Sequence, residues 1–441
     1  MTKGSVPPEM EGFTVGLIGM GDMGKMYARR LSAAGWSILA CDKEEKYDEL
    51  VAEFSGNSKV TIERNGHLVS RAADYTIYSV EASVIGAVVA RFGPSTRIGA
   101  IVGGQTSCKD PEIKAFETYL PADVDIVSCH SLHGPNVDTR GQPLVLIKHR
   151  ASDESLRKVE AVLSCLGSTH VYLSAREHDR ITANTQAVTH AGFLSMGKAW
   201  HGCRQFPWEG ARYIGGIENV KINLMLRIYS AKWHVYAGLA ILNPEAHNQI
   251  NQFAKSTTEL FYLMLEGRAD ELRARVYAAK EKVFGAESNP KWGDKPLLNA
   301  AMLDRFSLGK GPEHSPQLAN NHLSLLAMVD SWSALGIVPY DHMICSTPLF
   351  RLWLGVVEHL FREPGLLDEC LRVGIEDRTF RRDDLQFTIA ACGWAECVSL
   401  RSFETWRERF AVTQAFFEPR FAGAIEVGNA MVKAVLESSE E

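Results

Sequence analysis

Val15-Gly16-Leu17-Ile18-Gly19-Met20-Gly21-Asp22-Met23-Gly24 is an apolar run that breaks into a glycine-rich turn, and a helical pattern follows it to Leu31 and closes at Gly35. The turn has the form GxGxxG. Its glycines let the chain reverse tightly and let backbone amides approach a pyrophosphate, while the helix N-terminus adds partial positive charge. A glycine turn alone is weak evidence. Here a strand precedes it, a helix follows, and a second strand, Trp36 to Cys41, ends in Asp42, which favours a dinucleotide site over a plain turn. An acid placed like Asp42 hydrogen-bonds the adenosine ribose and favours NAD. Lys43 and Lys46 follow at once and either neutralise the 2'-phosphate of NADP or are solvated surface lysines, so the residues alone leave the choice open.

Outward from this turn, short apolar runs alternate with helical patterns as far as about Ile147. Tyr75 to Val80, Ile98 to Val102 and Val124 to Cys129 read as further buried strands. The expected fold class is α/β, a Rossmann-type doubly wound parallel sheet over residues 1–174, followed by all-α domains. Residues 175–285 read as a helical substrate-binding and dimerisation domain. Residues 286–320, next to Gly285 and rich in glycine and proline, read as a linker, and residues 321–441 as a helical extension. Asn219 to Asn243 is long and apolar, but Lys221, Asn223, Arg227, Lys232 and His234 keep every apolar run short of the roughly 18 to 20 residues a membrane span needs. A helix apolar on most sides belongs inside a bundle or at a subunit interface.

Composition sets the outer limits. With 441 residues, 23% charged and 46% hydrophobic, the chain is of ordinary globular type and long enough for more than one core. Its net charge is 47 minus 53, or -6, with no long basic block, so neither nucleic acid nor anionic lipid is an expected partner and small molecules are. Residues 1–12 lack the basic start and apolar run of a secretory signal, and the nine cysteines include no CxxC pair. Both point to a reduced, cytoplasmic protein.

Polar groups gather where such sheets bind ligands, at the carboxyl ends of the strands. One strand runs into Gly103-Gly104-Gln105-Thr106-Ser107-Cys108-Lys109, and another into His130-Ser131-Leu132-His133-Gly134-Pro135. Either Ser107 or His130 alone would read as a turn residue. Their placement at adjacent strand ends favours a catalytic pair, because an imidazole of ordinary pKa about 6.5 can take a proton from a substrate hydroxyl near neutral pH. Cofactor contacts are expected from Gly19, Met20, Gly21, Asp22, Met23 and Gly24, from Asp42, from Ser79 and Val80, and from Gly103 and Gly104. His130 and His133 are three residues apart, but no carboxylate pair completes a metal shell, so no metal is expected. In the helical pattern from His178 to Trp200, Thr182, Gln186 and His190 recur every four residues as one polar stripe, which reads as a pocket wall or as a hydrogen-bonded core histidine. Arg227, set among Leu224, Met225, Leu226, Ile228 and Tyr229, needs an anionic partner, either a substrate carboxylate or a distant acid of the chain.

GMGDMG, GGQTSCK, HSLHGP, EHDRITANTQAVTH and LRIYSAKWHVYAGLAILNP, in this order, resemble the prephenate dehydrogenase family, most closely its fungal branch. The likeness covers about residues 13–285, and residues 320–440 are similar to the fungal C-terminal extension. The resemblance implies oxidative decarboxylation of prephenate in tyrosine biosynthesis. His130 would be the catalytic histidine and Ser107 the serine that steadies it. His190 would bind substrate and Arg227 hold the ring carboxylate, while Gln186 and Tyr236 line the pocket. His133 departs from the bacterial pattern and is counted with the substrate-binding residues. The resemblance also implies NADP, with NAD the alternative that Asp42 favours, and a homodimer. An arogenate dehydrogenase and a non-catalytic nicotinamide-binding regulator are the competing readings.

Overall fold

A computed structural model describes residues 6–210, 213, 215–285, 297–298, 303 and 320–438. The chain divides into two compact units, Met1–Ile181 and Thr182–Glu441. The boundary expected at residue 174 thus falls at 181.

The first unit is built on an eight-stranded sheet in the order β3-β2-β1-β4-β5-β6-β7-β8. Its strands are β1 (Thr14–Ile18), β2 (Ser37–Cys41), β3 (Val60–Ile62), β4 (Tyr75–Tyr78), β5 (Ile101–Gly104), β6 (Asp125–Ser131), β7 (Pro143–Arg150) and β8 (Thr169–Tyr172). All neighbours are parallel except β6 and β7. Helices cover the sheet, so central strands are buried at successive positions: Tyr75, Thr76, Ile77 and Tyr78 are all wholly buried. The sequence of strands reverses between β1 and β4, which leaves the carboxyl ends of these two strands beside a crevice of the kind that binds dinucleotides. Ile98, expected in a strand, is instead 86% exposed, because the chain turns at Gly99 (φ +68°) before β5 begins. His130 lies inside β6, opposite Val145 of β7, and not in the loop beyond the strand.

The second unit is helical among the described residues. Helices Leu323–Leu335, Pro348–Arg362, Pro364–Glu376, Arg381–Ser399, Phe403–Phe417 and Phe421–Ser438 share one hydrophobic core with those between residues 183 and 284. Trp332, Trp353, Trp394 and Trp406 are wholly buried in it. The expected linker lies mostly outside the described residues. Ile217–Tyr229 and Trp233–Leu242 are separate helices, and Gln414 donates to the Tyr229 and Ala231 carbonyls at the break, at 2.6 and 3.3 Å. Phe421–Ser438 packs against Ile217–Tyr229, so the apolar circumference offered to a partner subunit is covered largely from within the chain. Among the described residues no helix is long and apolar enough to cross a membrane.

Candidate active site

At the end of β1 the three glycines serve three different needs. Gly19 adopts φ +103°, and a side chain there would collide with the Ser79 carbonyl and Val80. A side chain on Gly24 would strike the Gly19 carbonyl, so this glycine lets the helix Asp22–Ala33 approach the turn. Gly21 has open space on its Cβ side and an ordinary extended backbone; no contact within the chain demands glycine there, and a closely approaching ligand would. This fits a pyrophosphate above the helix N-terminus, with Met20, Asp22 and Met23 completing the turn. Ser79 and Val80 meet the loop from β4, the Ser79 amide donating to the Ile18 carbonyl at 2.8 Å. Gly103 and Gly104, expected to touch the cofactor, have a reason inside the fold. Side chains there would run into the Val127 carbonyl and the Glu112 carboxylate.

Glu112 belongs to a buried charge network below His130. Lys109 and Glu112 are both fully buried and pair at 2.9 Å. The Lys109 ammonium also donates to the Gly104 carbonyl (3.1 Å), the Cys129 carbonyl (2.8 Å) and the Ser128 hydroxyl (3.3 Å). Glu112 takes further hydrogen bonds from the Thr106 amide (3.0 Å), the Thr106 hydroxyl (2.6 Å) and the Ser128 hydroxyl. A buried pair so fully bonded ties the loop after β5 to β6, and removing either partner would leave an uncompensated charge.

His130 itself is joined to two residues that the sequence had not singled out. Its Nδ1 lies 2.8 Å from Nε2 of His178, and Nδ1 of His178 lies 2.9 Å from Oδ1 of Asp179. Asp179 is fixed in turn by the amides of Lys109 (2.7 Å) and Asp110 (2.8 Å) at the start of the helix Lys109–Tyr119. The carboxylate only accepts, so a neutral His178 must carry its proton on Nδ1. Its Nε2 then accepts from Nδ1–H of His130, which leaves the lone pair of His130 on Nε2. His130 is 8% exposed, and burial, reinforced by His178, Lys109 and His133, holds its pKa well below the ordinary value. Burial also lowers His178, against the opposing pull of Asp179. Ser107 is half-buried in the loop after β5, and among the described residues no hydrogen bond joins it to His130. His133 bonds at Nδ1 to the Gly134 carbonyl, while its Nε2 is buried without a partner.

Of the five expected substrate-binding side chains, the helical unit brings together His190, Tyr236 and Arg227 on its own. The rings of His190 and Tyr236 meet edge to face at 4.8 Å, and Tyr236 sits near enough to Arg227 to oppose the lowering of the guanidinium pKa by burial. Burial takes His190 down to about 4. Nδ1 of His190 and Nε2 of Gln186 are buried without a hydrogen-bond partner. The regular helix expected from His178 to Trp200 is interrupted: Ala175–Thr182 passes into a π-helix, Ala183–Ala187, before Val188–Cys203. The wider turn shifts Gln186 relative to His190, so the stripe is not the simple four-residue repeat that the spacing suggested.

Residues 187–437 match a family described as TYR1-like, 6-phosphogluconate dehydrogenase C-terminal domain, and residues 14–102 match one described as NADP oxidoreductase coenzyme F420-dependent. The chain is 55% identical over 431 residues to the probable prephenate dehydrogenase [NADP(+)] of Schizosaccharomyces pombe, covering 98% of this chain and 99% of that one. It is 53% identical over 430 residues to the prephenate dehydrogenase [NADP(+)] of Saccharomyces cerevisiae, covering 97% and 95%. The chain belongs to the fungal NADP-dependent prephenate dehydrogenase family. A solved prephenate dehydrogenase of A. aeolicus is also similar, at 18% identity and a TM-score of 0.48, over 59% of this chain and 94% of that one.

For this prephenate dehydrogenase family member, sequence reasoning missed His178, Asp179, Lys109 and Glu112. A local signal existed. Lys109 and Glu112 stand one helical turn apart at the head of a helix, and His178 and Asp179 are adjacent inside the quoted run EHDRITANTQAVTH. What no spacing gives is that Asp179 reaches Lys109, 70 residues away.

Proposed function

We propose that the chain converts prephenate, with NADP, to 4-hydroxyphenylpyruvate, carbon dioxide and NADPH. NADP, when bound, accepts the hydride. The glycine turn from Gly19 to Gly24, with Ser79 and Val80 beside it, would hold its pyrophosphate end. His130 is the base: Nε2 takes the proton of the ring 4-hydroxyl while the hydride on the same carbon departs, loss of the ring carboxylate as carbon dioxide sends its bonding electron pair into the ring to complete the aromatic system, and the proton returns from Nε2 to the 4-oxygen. His178 and Asp179 keep that lone pair in place and offset the positive charge His130 gains. Arg227 grips a substrate carboxylate, and His190, Gln186 and Tyr236 line the wall beside it. Ser107 would engage the hydroxyl once substrate is bound. On the family resemblance we also propose a cytoplasmic homodimer serving tyrosine synthesis; sedimentation as a compact monomer at micromolar concentration would remove the dimer.

The observation that carries this reading is the His130–His178–Asp179 chain of hydrogen bonds, which makes one imidazole a neutral, oriented base. The test is absorbance at the reduced-nicotinamide band with prephenate or arogenate and with each cofactor. Turnover of prephenate, faster with NADP than with NAD, is expected. Turnover of arogenate alone would replace the substrate, and no turnover of either would leave a non-catalytic nicotinamide-binding protein.

A further inference from the structure

An acid just beyond the second strand of such a sheet ordinarily reads the ribose of NAD, yet this chain belongs to an NADP-dependent family. The hydrogen bonds of Asp42 resolve the conflict. Its Oδ2 accepts from the Met20 amide at 2.6 Å, and its Oδ1 accepts from the Lys43 amide at 2.7 Å. The carboxylate is only 12% exposed. Both oxygens are thus committed to the backbone, one of them to the glycine turn itself, and a carboxylate so engaged is poorly placed to take two ribose hydroxyls as well.

The cations around it are less committed. Lys46 lies 4.0 Å from Asp42 with its side chain 47% exposed, and Lys43 is exposed with no carboxylate partner among the described residues. The third cation comes from another strand. β3 runs parallel to β2, pairing Ala40 with Ile62, and the Glu63 amide donates to the Ala40 carbonyl at 2.7 Å. Arg64 therefore leaves the sheet beside the end of β2. Its guanidinium stacks 4.5 Å over the ring of Tyr47, the first residue of the helix Tyr47–Phe54, which holds it over the turn carrying Lys43 and Lys46. Arg64 is exposed and has no carboxylate partner among the described residues. Glu44 and Glu45, exposed in the same turn, oppose this charge, which places the weight on a guanidinium that can bind phosphate through two parallel N–H bonds.

We propose that Asp42 braces the glycine turn and does not read the ribose, and that Arg64, supported by Lys43 and Lys46, receives the 2'-phosphate of NADP and sets the cofactor preference. This rests on the dinucleotide reading of the turn but not on prephenate as substrate, and it is tested without turnover. The full chain is titrated calorimetrically with adenosine 2',5'-bisphosphate and with 5'-AMP. The bisphosphate should bind at least about tenfold more tightly, as expected of a charge-assisted contact to an added phosphate. Arg64→Ala should remove most of that preference and leave 5'-AMP within about twofold, and Arg64→Lys should keep part of it. Asp42→Ala, with its thermal unfolding measured alongside, should weaken both ligands by similar factors. Equal loss of both ligands in Arg64→Ala, no loss in it, or a selective loss of 5'-AMP in Asp42→Ala would each overturn the assignment. If instead prephenate turnover failed while the nucleotide results held, the substrate reading would fall and this one stand.

Discussion

The polar groups around His130 and those around His190 are both buried, but they are finished to different degrees. In the sheet unit the groups that orient His130 have their partners within the chain, from Asp179 on two helix amides to Lys109 on four acceptors, although Nε2 of His133 has none. In the helical unit, Nδ1 of His190 and Nε2 of Gln186 have none. The difference is the one that the two proposed roles require. A general base must present one lone pair in one direction before substrate arrives, so its protein bonds are complete. Groups that recognise a ligand must stay open until the ligand supplies the missing bonds, and the folded chain carries the cost of leaving them open.

Breaking the completed network should have the largest effects. Replacing the base, in His130→Asn, or letting its neighbour turn, in Asp179→Asn, should each lower kcat by about 10²–10⁴-fold, with KM for prephenate within about threefold. Rapid-mixing kinetics separate the two parameters, and a change confined to KM would mean that this network binds substrate and does no proton transfer. Lys109→Met leaves Glu112 charged and alone, and denaturant titration should show about 3–5 kcal/mol lost; a change below about 1 kcal/mol would mean that the pair is not as dry as its burial indicates.

The helical unit's proposed substrate-binding groups should answer differently. Arg227→Ala should raise KM about 10–100-fold with kcat little altered, as for loss of charged hydrogen bonds to a carboxylate. Protonation tests both regions together. His130, His178 and His190 are held neutral by burial, so below their unfolded pKa of about 6.5 the unfolded chain binds more protons than the folded one. Stability should be full above that pH and decline as pH falls toward the folded values, about 4 for His190. His190→Gln should flatten part of that decline in thermal melts across the range. The smallest effect is expected from Gln186→Met, which removes an unsatisfied amide. Stability should hold or rise by up to about 1 kcal/mol while KM increases, and clear destabilisation would show that the amide is bonded in the free protein.

How much of this was visible in the residues depended on how local the cause was. The glycine turn, β1, β2 and the strand ends carrying Ser107 and His130 were legible because a buried parallel strand and its turn are written in consecutive residues. β3, only three residues long, and β8, only four, carried too little pattern to be found, whereas the apolar start of β7 lies within the runs that reach Ile147. Beyond residue 320 the pattern shows a helical extension but not that its helices join the same core as those between residues 183 and 284. A helix buried on most sides shows where it is hidden but not by what, and the sequence does not say that Phe421–Ser438 lies on Ile217–Tyr229. In the site, single residues were readable by chemical type, whereas the bonds that orient them join positions 48 and 70 residues apart and follow from the topology.

Whether His130 can act as a base depends on which of its nitrogens holds the proton. With ¹⁵N-labelled histidine in the full chain at neutral pH, and His130 assigned by the signal lost in His130→Asn, the ring should appear neutral, with Nδ1 protonated and Nε2 bare. Asp179→Asn should disturb that pattern. A proton on Nε2, or an imidazolium, in the unaltered chain would contradict the assignment of His130 as a ready base.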